Sequence, residues 1–232
     1  MSKLKVAMCW DDGVTTDIRL ISIIRKYNAK ATFNLNPGAM PRHTAAPSWA
    51  ATGYDGWSHL GFIPGKIGLH ELQTIYGDFT VASHCSKHET VGFCTDQEFL
   101  TAAVDAKKFL EDAFQRECPG FAWPCGRYSA ETVEMLKQNG FRYGRTTEYA
   151  DDITSCREPL TLPATCKFND MRFYSKYENA KSCGAFYFWG HSYETFDYEP
   201  LWRQLEDKIA YISNDPDAEW CDVIDLVPLL GK

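Results

Sequence analysis

No two of the nine cysteines stand in a C-x-x-C spacing. That excludes a zinc ribbon and a thioredoxin-type redox motif, and it leaves an odd set of thiols best suited to a reducing compartment. No run of about 18 apolar residues is present, so no helical membrane span is expected. The segment Met1–Lys5 runs into the first apolar stretch without the apolar core of a signal peptide, so a cytoplasmic location is expected. Basic residues are also short: 24 Lys and Arg against 31 Asp and Glu give a net charge of −7 with no basic cluster. Nucleic acid and anionic membranes are therefore poor partners. Repeats, low-complexity tracts and linkers are missing, which predicts one domain over residues 1–232.

What is present begins with an ample core: 44% of the residues are apolar and 14% aromatic. Val6–Cys9 predicts a short buried strand. Thr16 or Asp17 then opens a helix with Leu20, Ile23, Ile24 and Tyr27 on one face, and Ala31–Asn36 predicts a second strand. Strand, helix, strand is a βαβ unit with parallel strands. The pattern dissolves into an irregular insertion at about 37–67, rich in Pro and bearing Trp49, Tyr54, Trp57, His59 and Phe62; segments of this kind are usually functional or mobile. Beyond it, Gly68–Tyr76 predicts a short helix and Phe79–Ala82 a third strand. Thr95 with Glu98 forms a capping box for a long helix. Phe121–Trp123 is a fourth strand, Ser129 caps another helix, and Phe141–Thr146 is a fifth strand. Leu160–Cys166 and Ala185–Trp189 read as strands, Leu201–Ile212 as an amphipathic helix, and Cys221–Leu226 as a last strand or extended segment. Strands alternating with helices predict an α/β fold with a parallel sheet or barrel.

Chemistry-bearing residues follow four of these strands. Asp11-Asp12-Gly13 places two carboxylates side by side; alone they are a polar turn, and two adjacent anions need a cation or proton between them. Ser83-His84-Cys85-Ser86-Lys87-His88 sets two imidazoles four apart after the third strand. Strand carboxyl ends gather on one face in parallel α/β folds. Asp12, His84 and His88 there would make a two-His, one-carboxylate set with open positions, a catalytic arrangement for zinc or a similar divalent metal. Trp123-Pro124-Cys125-Gly126 comes after the fourth strand and can turn the Cys125 N–H toward the same face. His191 comes after the apolar strand Ala185–Trp189.

In this order the stretches resemble the polysaccharide deacetylase family, carbohydrate esterase family 4. Asp11-Asp12-Gly13 matches its first motif, His84-Cys85-Ser86-Lys87-His88 approximates its His-Ser/Thr-x-x-His motif, and His191 matches its late histidine. The resemblance implies a distorted (β/α) barrel of about seven parallel strands, with an open parallel sheet as the runner-up. It implies Asp12, His84 and His88 as ligands of a divalent metal, zinc first, with cobalt, nickel or iron compatible. It further implies Asp11 as general base, the backbone N–H of Cys125 as oxyanion donor and His191 as general acid. An N-acetylated sugar would lose acetate. Two departures stand out, one at motif three and one at Cys85, which stands where the family has Ser or Thr between the histidines. Ala122 replaces the family's motif-three Arg, and Arg145 on the next strand either reaches the same carboxylate or lies on the surface. Cys125 replaces a Tyr. Trp57, His59, Trp123, Tyr128 and Glu194 are candidates for substrate contact. The alternatives are a hydrolase of another non-peptide C–N bond, such as a cyclic amide, and an inactive carbohydrate-binding relative.

Overall fold

A computed structural model of the protein describes residues 3–231. The chain starts with β1 (Leu4–Asp11), α1 (Asp17–Lys26) and β2 (Thr32–Leu35). α1 turns Leu20, Ile21, Ile23 and Ile24 into the core, each worth about 1.5–3 kcal/mol of apolar burial. The insertion after β2 is mostly irregular and carries one short antiparallel pair, β3 (Ser48–Trp49) and β4 (Phe62–Ile63). Next come α2 (Leu72–Tyr76), β5 (Thr80–Ser83), α3 (Asp96–Phe114), β6 (Gly120–Ala122), α4 (Ala130–Gln138) and β7 (Tyr143–Tyr149). Two of the caps read from the sequence form, Thr95 with Glu98 at α3 and Ser129 at α4, while at α1 Thr16 takes the N-cap position without a side-chain cap bond. The last part holds β8 (Leu162–Ala164), β9 (Cys166–Lys167), α5 (Phe173–Ala180), β10 (Ala185–Gly190), α6 (Glu199–Ser213) and β11 (Ala218–Trp220).

The main sheet is parallel throughout and runs β8-β7-β6-β5-β2-β1-β10-β9, with β11 beside the start of β1. Its two end strands, β8 and β9, are separated only by Thr165. The Thr165 N–H donates to the Tyr187 carbonyl (2.6 Å), and its hydroxyl accepts from the Tyr187 N–H (3.1 Å). One segment thus pairs with β7 through its first half and with β10 through its second, and the sheet nearly closes into a barrel. Counted as one strand, that segment makes seven around the ring.

Strand alternation sorts the side chains. On β1, Val6, Met8 and Trp10 face out into the helix-covered core, while Ala7 and Cys9 join a second cluster with Tyr143, Tyr187 and Trp189 inside the barrel. Continuing that inward parity by two residues from Cys9, Tyr143 and Trp189 gives Asp11, Arg145 and His191. The same parity brings Asn34 of β2 and His84, just past β5, inward. The functional face is therefore a consequence of period two applied to strands that all point the same way. One expectation is corrected: residues 221–226 are not a strand. A 3₁₀ helix covers Val223–Leu229, opened by an Asp222–Asp225 capping box.

Candidate active site

The turn that leaves β1 is under backbone strain. Asp12 (φ 81°) and Gly13 (φ 60°) both lie in the left-handed region, which costs a non-glycine residue on the order of 1 kcal/mol or more. The positive φ at Gly13 is one that a residue with a side chain adopts only under strain, so glycine is favoured there. The turn is pinned from several sides: the Asp12 N–H donates to the Asn34 carbonyl (3.0 Å), Lys66 Nζ donates to the Asp12 carbonyl (2.6 Å), and the Ile67 N–H donates to the Gly13 carbonyl (3.0 Å). The insertion therefore returns to the barrel by clamping this turn.

Asp12, His84 and His88 each bring one donor atom into a group whose members all lie within 4.8 Å of one another. His84 is 2% exposed, and its Nδ1 is 2.7 Å from the Ala122 carbonyl oxygen. A carbonyl only accepts, so Nδ1 carries the proton and Nε2 presents a lone pair toward the carboxylates. Burial, only partly offset by Asp11 and Asp12, lowers the His84 pKa to about 4, so the ring is neutral at pH 7. A neutral imidazole fixed by an outer carbonyl is the form that binds a divalent cation. The residues present thus fit a metal, and one carboxylate with two imidazoles suits zinc, cobalt, nickel or iron.

Asp11 stands beside this group. Its Oδ1 accepts from Asn34 Nδ2 (2.7 Å), and its Oδ2 receives the guanidinium of Arg145. Arg145 is 1% exposed and lies 4.2 Å from the centroid of the Trp189 ring. The structure therefore places Arg145 at the carboxylate and not on the surface. Burial alone would raise the Asp11 pKa, but Arg145, His84 and His191 outweigh it and hold the carboxyl well below its usual range. At Asp12 burial is likewise outweighed, first by Lys66 and then by His191, and its pKa is lowered.

His191 faces the pair from β10, with Nε2 3.7 Å from Asp11 Oδ2 and 3.9 Å from Asp12 Oδ2. Its Nδ1 lies 3.2 Å from Glu194 Oε1, and Lys167 bonds the same oxygen. Burial opposes the charged ring, but the Glu194 bond and the two aspartates prevail, and the pKa is raised above 6.5. Tyr193 stacks on the ring at 4.7 Å.

A cavity of about 430 Å³ opens over this cluster, and Val14, Trp57, Pro64, Trp123, Cys125 and Thr147 complete its walls. Trp57 lies at its rim, well exposed, and Cys125 takes a left-handed φ of 54° at its edge. Three candidates for substrate contact do not line it. Tyr128 turns away, bonding Glu148 (3.0 Å) and packing on Trp123. His59 packs on Tyr193 and Phe196. Glu194 lies behind His191 and holds its ring. Asn34, Lys66, Trp189 and Tyr193 join the site without having been read from the sequence. For Asn34 the usable signal was a polar residue at inward parity in an otherwise buried strand.

With the geometry in view, the comparisons are decisive for family. The profile of the polysaccharide deacetylase family matches residues 1–144, more than half of the chain. The protein belongs to the polysaccharide deacetylase family. The Bacillus subtilis (strain 168) protein named "Putative polysaccharide deacetylase YxkH" is 29% identical over 145 residues, 62% of this chain and 44% of that protein. The match thus spans less than half the length of this relative. Among solved structures, the "putative polysaccharide deacetylase from Mycobacterium smegmatis" superposes with a TM-score of 0.65 at 15% identity, covering 98% of this chain and 90% of that one. A mutant of BA3943, described as a CE4 family pseudoenzyme with restored enzymatic activity, gives a TM-score of 0.59 at 13% identity over 97% of this chain and 68% of that one. At such identities the likeness establishes the barrel, and family membership rests on the profile.

Proposed function

We propose that this family member is a metal-dependent hydrolase that removes N-acetyl groups from a carbohydrate, with residues 1–232 acting as one catalytic domain. The observation that carries the reading is Asp11 held between Arg145 and His191, directly beside the Asp12–His84–His88 group. Those three residues would hold the divalent cation, zinc by preference. When bound there it supplies Lewis acidity that polarises an acetyl carbonyl and acidifies water.

The chain's own residues do the rest. Asp11, kept anionic by Arg145, takes the proton of the attacking water as general base. Arg145 also fixes which oxygen of Asp11 faces the cavity. The Cys125 N–H donates to the oxygen that becomes negative at the tetrahedral stage. His191, whose proton affinity the Glu194 bond raises against burial, gives its Nε2 proton to the leaving amine. Bond by bond, the amide C–N bond breaks, water adds its hydroxyl to the acyl carbon, and acetate and a free amine leave. Trp57 at the rim offers a flat apolar face suited to a sugar ring.

The test is metal analysis joined to acetate release from N-acetylated chitooligosaccharides. The expected result is about one zinc per chain after reconstitution. Asp11→Asn should lower kcat by roughly 10²–10⁴-fold while retaining zinc, and His84→Ala should lose zinc on dialysis. Failure to bind zinc with no acetate released would overturn the reading. Turnover of a cyclic amide but of no N-acetyl sugar would move the reaction to that class of C–N bond.

A further inference from the structure

One buried carboxyl behind the site takes no part in the proposed chemistry. Asp17, in the first turn of α1, is fully buried, and no Lys, Arg or His among the described residues pairs with it. Its partners are neutral donors on three segments. Ser192 Oγ donates to Oδ1; Tyr76 Oη (2.7 Å) and the Val14 N–H (3.3 Å) donate to Oδ2. Ser192 spends its one proton on Asp17, so the 2.7 Å contact between Thr16 Oγ1 and Ser192 Oγ is a donation from Thr16. The resulting chain runs Thr16 to Ser192 to Asp17, with Tyr76 and Val14 entering from the other side.

The segments joined are the ones that carry the reacting groups. Val14 is two residues from Asp12, at the end of the strained turn. Ser192 comes directly after His191. The pairing of β1 with β10 stops at Trp10 and Gly190, so beyond that register no ladder bond sets how far His191 stands from Asp11 and Asp12. Asp17 bridges the two loops where the sheet no longer does. Burying a carboxyl without a cation is costly, and Asp17 does not occupy the cap position of α1, which falls to Thr16, a residue whose hydroxyl goes to Ser192 and caps nothing.

We infer that Asp17 is a positioning residue that fixes the distance between His191 and the Asp11–Asp12 pair by tying the loop after β10 to the turn after β1. This rests on the deacetylase reading for its kinetic consequence but not for its geometry. Asp17 and its bonds also hold α2 through Tyr76, so Asp17→Asn can unfold the chain; Ser192→Ala is the milder probe, because it leaves the Tyr76 and Val14 bonds in place and removes only those of Ser192 to Asp17 and Thr16.

The experiment compares wild type, Ser192→Ala and Ser192→Thr in acetate release from tri-N-acetylchitotriose and in the side-chain NMR signals of His191, assigned by loss in His191→Gln. Small misplacements of a reacting group cost up to about 10²-fold. Ser192→Ala is therefore expected to lower kcat by roughly tenfold or more, with KM within about twofold and zinc content unchanged. Ser192→Thr, which keeps the hydroxyl, is expected to recover most of that loss. The His191 ring signals should shift or broaden in Ser192→Ala and return in Ser192→Thr. A variant that melts earlier but keeps wild-type kcat and unmoved His191 signals would overturn the inference. If wild type itself releases no acetate, the deacetylase reading fails. The NMR comparison then still decides the positioning role: shifted signals uphold it, and unmoved signals overturn it.

Discussion

The two halves of the barrel supply the site in different ways. The half built from β1, β2 and β5 gives Asp11, Asp12, His84 and His88 from compact motifs at strand ends. The half built from β7 to β10 gives Arg145 from β7 and Trp189, His191 and Glu194 from one stretch at the end of β10, brought to Asp11 by strand parity and sheet closure. The family profile ends at residue 144, one position before Arg145. The first half thus holds the groups that would bind the cation, and the second mostly holds the groups that set proton affinity. The difference teaches that ligand spacing is a local property of sequence, whereas electrostatic support for a carboxylate is a property of the closed ring.

The sharpest way to break this comparison is Arg145→Ala. Removing one member of a buried ion pair leaves Asp11 as a buried charge without its main counterion, expected to cost about 3 kcal/mol or more in stability. The accompanying loss in kcat should be about 10²-fold. Urea unfolding and acetate-release kinetics measure both. A kcat within a few-fold of wild type would show that the second half does not support the base.

A smaller effect is expected from Glu194→Gln. The His191 pKa is raised in the folded protein, with Glu194 the leading favourable cause. In the proposed role of general acid His191 acts while protonated, so activity should be present below its folded pKa and lost as pH rises through it. Without the Glu194 charge that alkaline limb should move to lower pH, with little change on the acid side. A pH–rate profile that keeps its alkaline limb in the variant would assign that limb to another group.

The smallest effect is expected at Tyr128→Phe. Its hydroxyl bonds Glu148 near the surface and is not part of the cavity, so KM should hold within about twofold and stability within ~0.5 kcal/mol. A large rise in KM would return Tyr128 to the substrate-contact group.

These cases also mark where sequence reasoning reached and where it stopped. The helix and strand order was legible because each element carries its own period and cap, and Thr95 with Glu98 is an example. The metal-ligand candidates were legible because four-residue spacing and strand-end position are both linear facts. Arg145 remained undecided, since nothing linear says whether a strand residue faces the barrel or solvent until its neighbours' parity is fixed. Tyr128, a candidate for substrate contact, does not line the cavity: the 3₁₀ turn at Pro124–Gly126, with its left-handed Cys125, redirects the backbone before Tyr128 is reached. Lys66 escaped notice because its bond to Asp12 spans 54 residues. At the other end, residues 221–226 look strand-like by composition, yet the Asp222–Asp225 box announces a helix start.

The shared segment of β8 and β9 has a bearing on how much chain the fold requires. A fragment ending at residue 144 would lack both β10 and the piece that joins the two ends of the sheet. β1 would then present Lys5–Trp10, now paired with β10 along its length, as a bare apolar edge. Such edges recruit strands from other molecules. The stretch that identifies the family is therefore shorter than the stretch that covers this edge, and a shortened protein should be sought among aggregates before it is sought in solution.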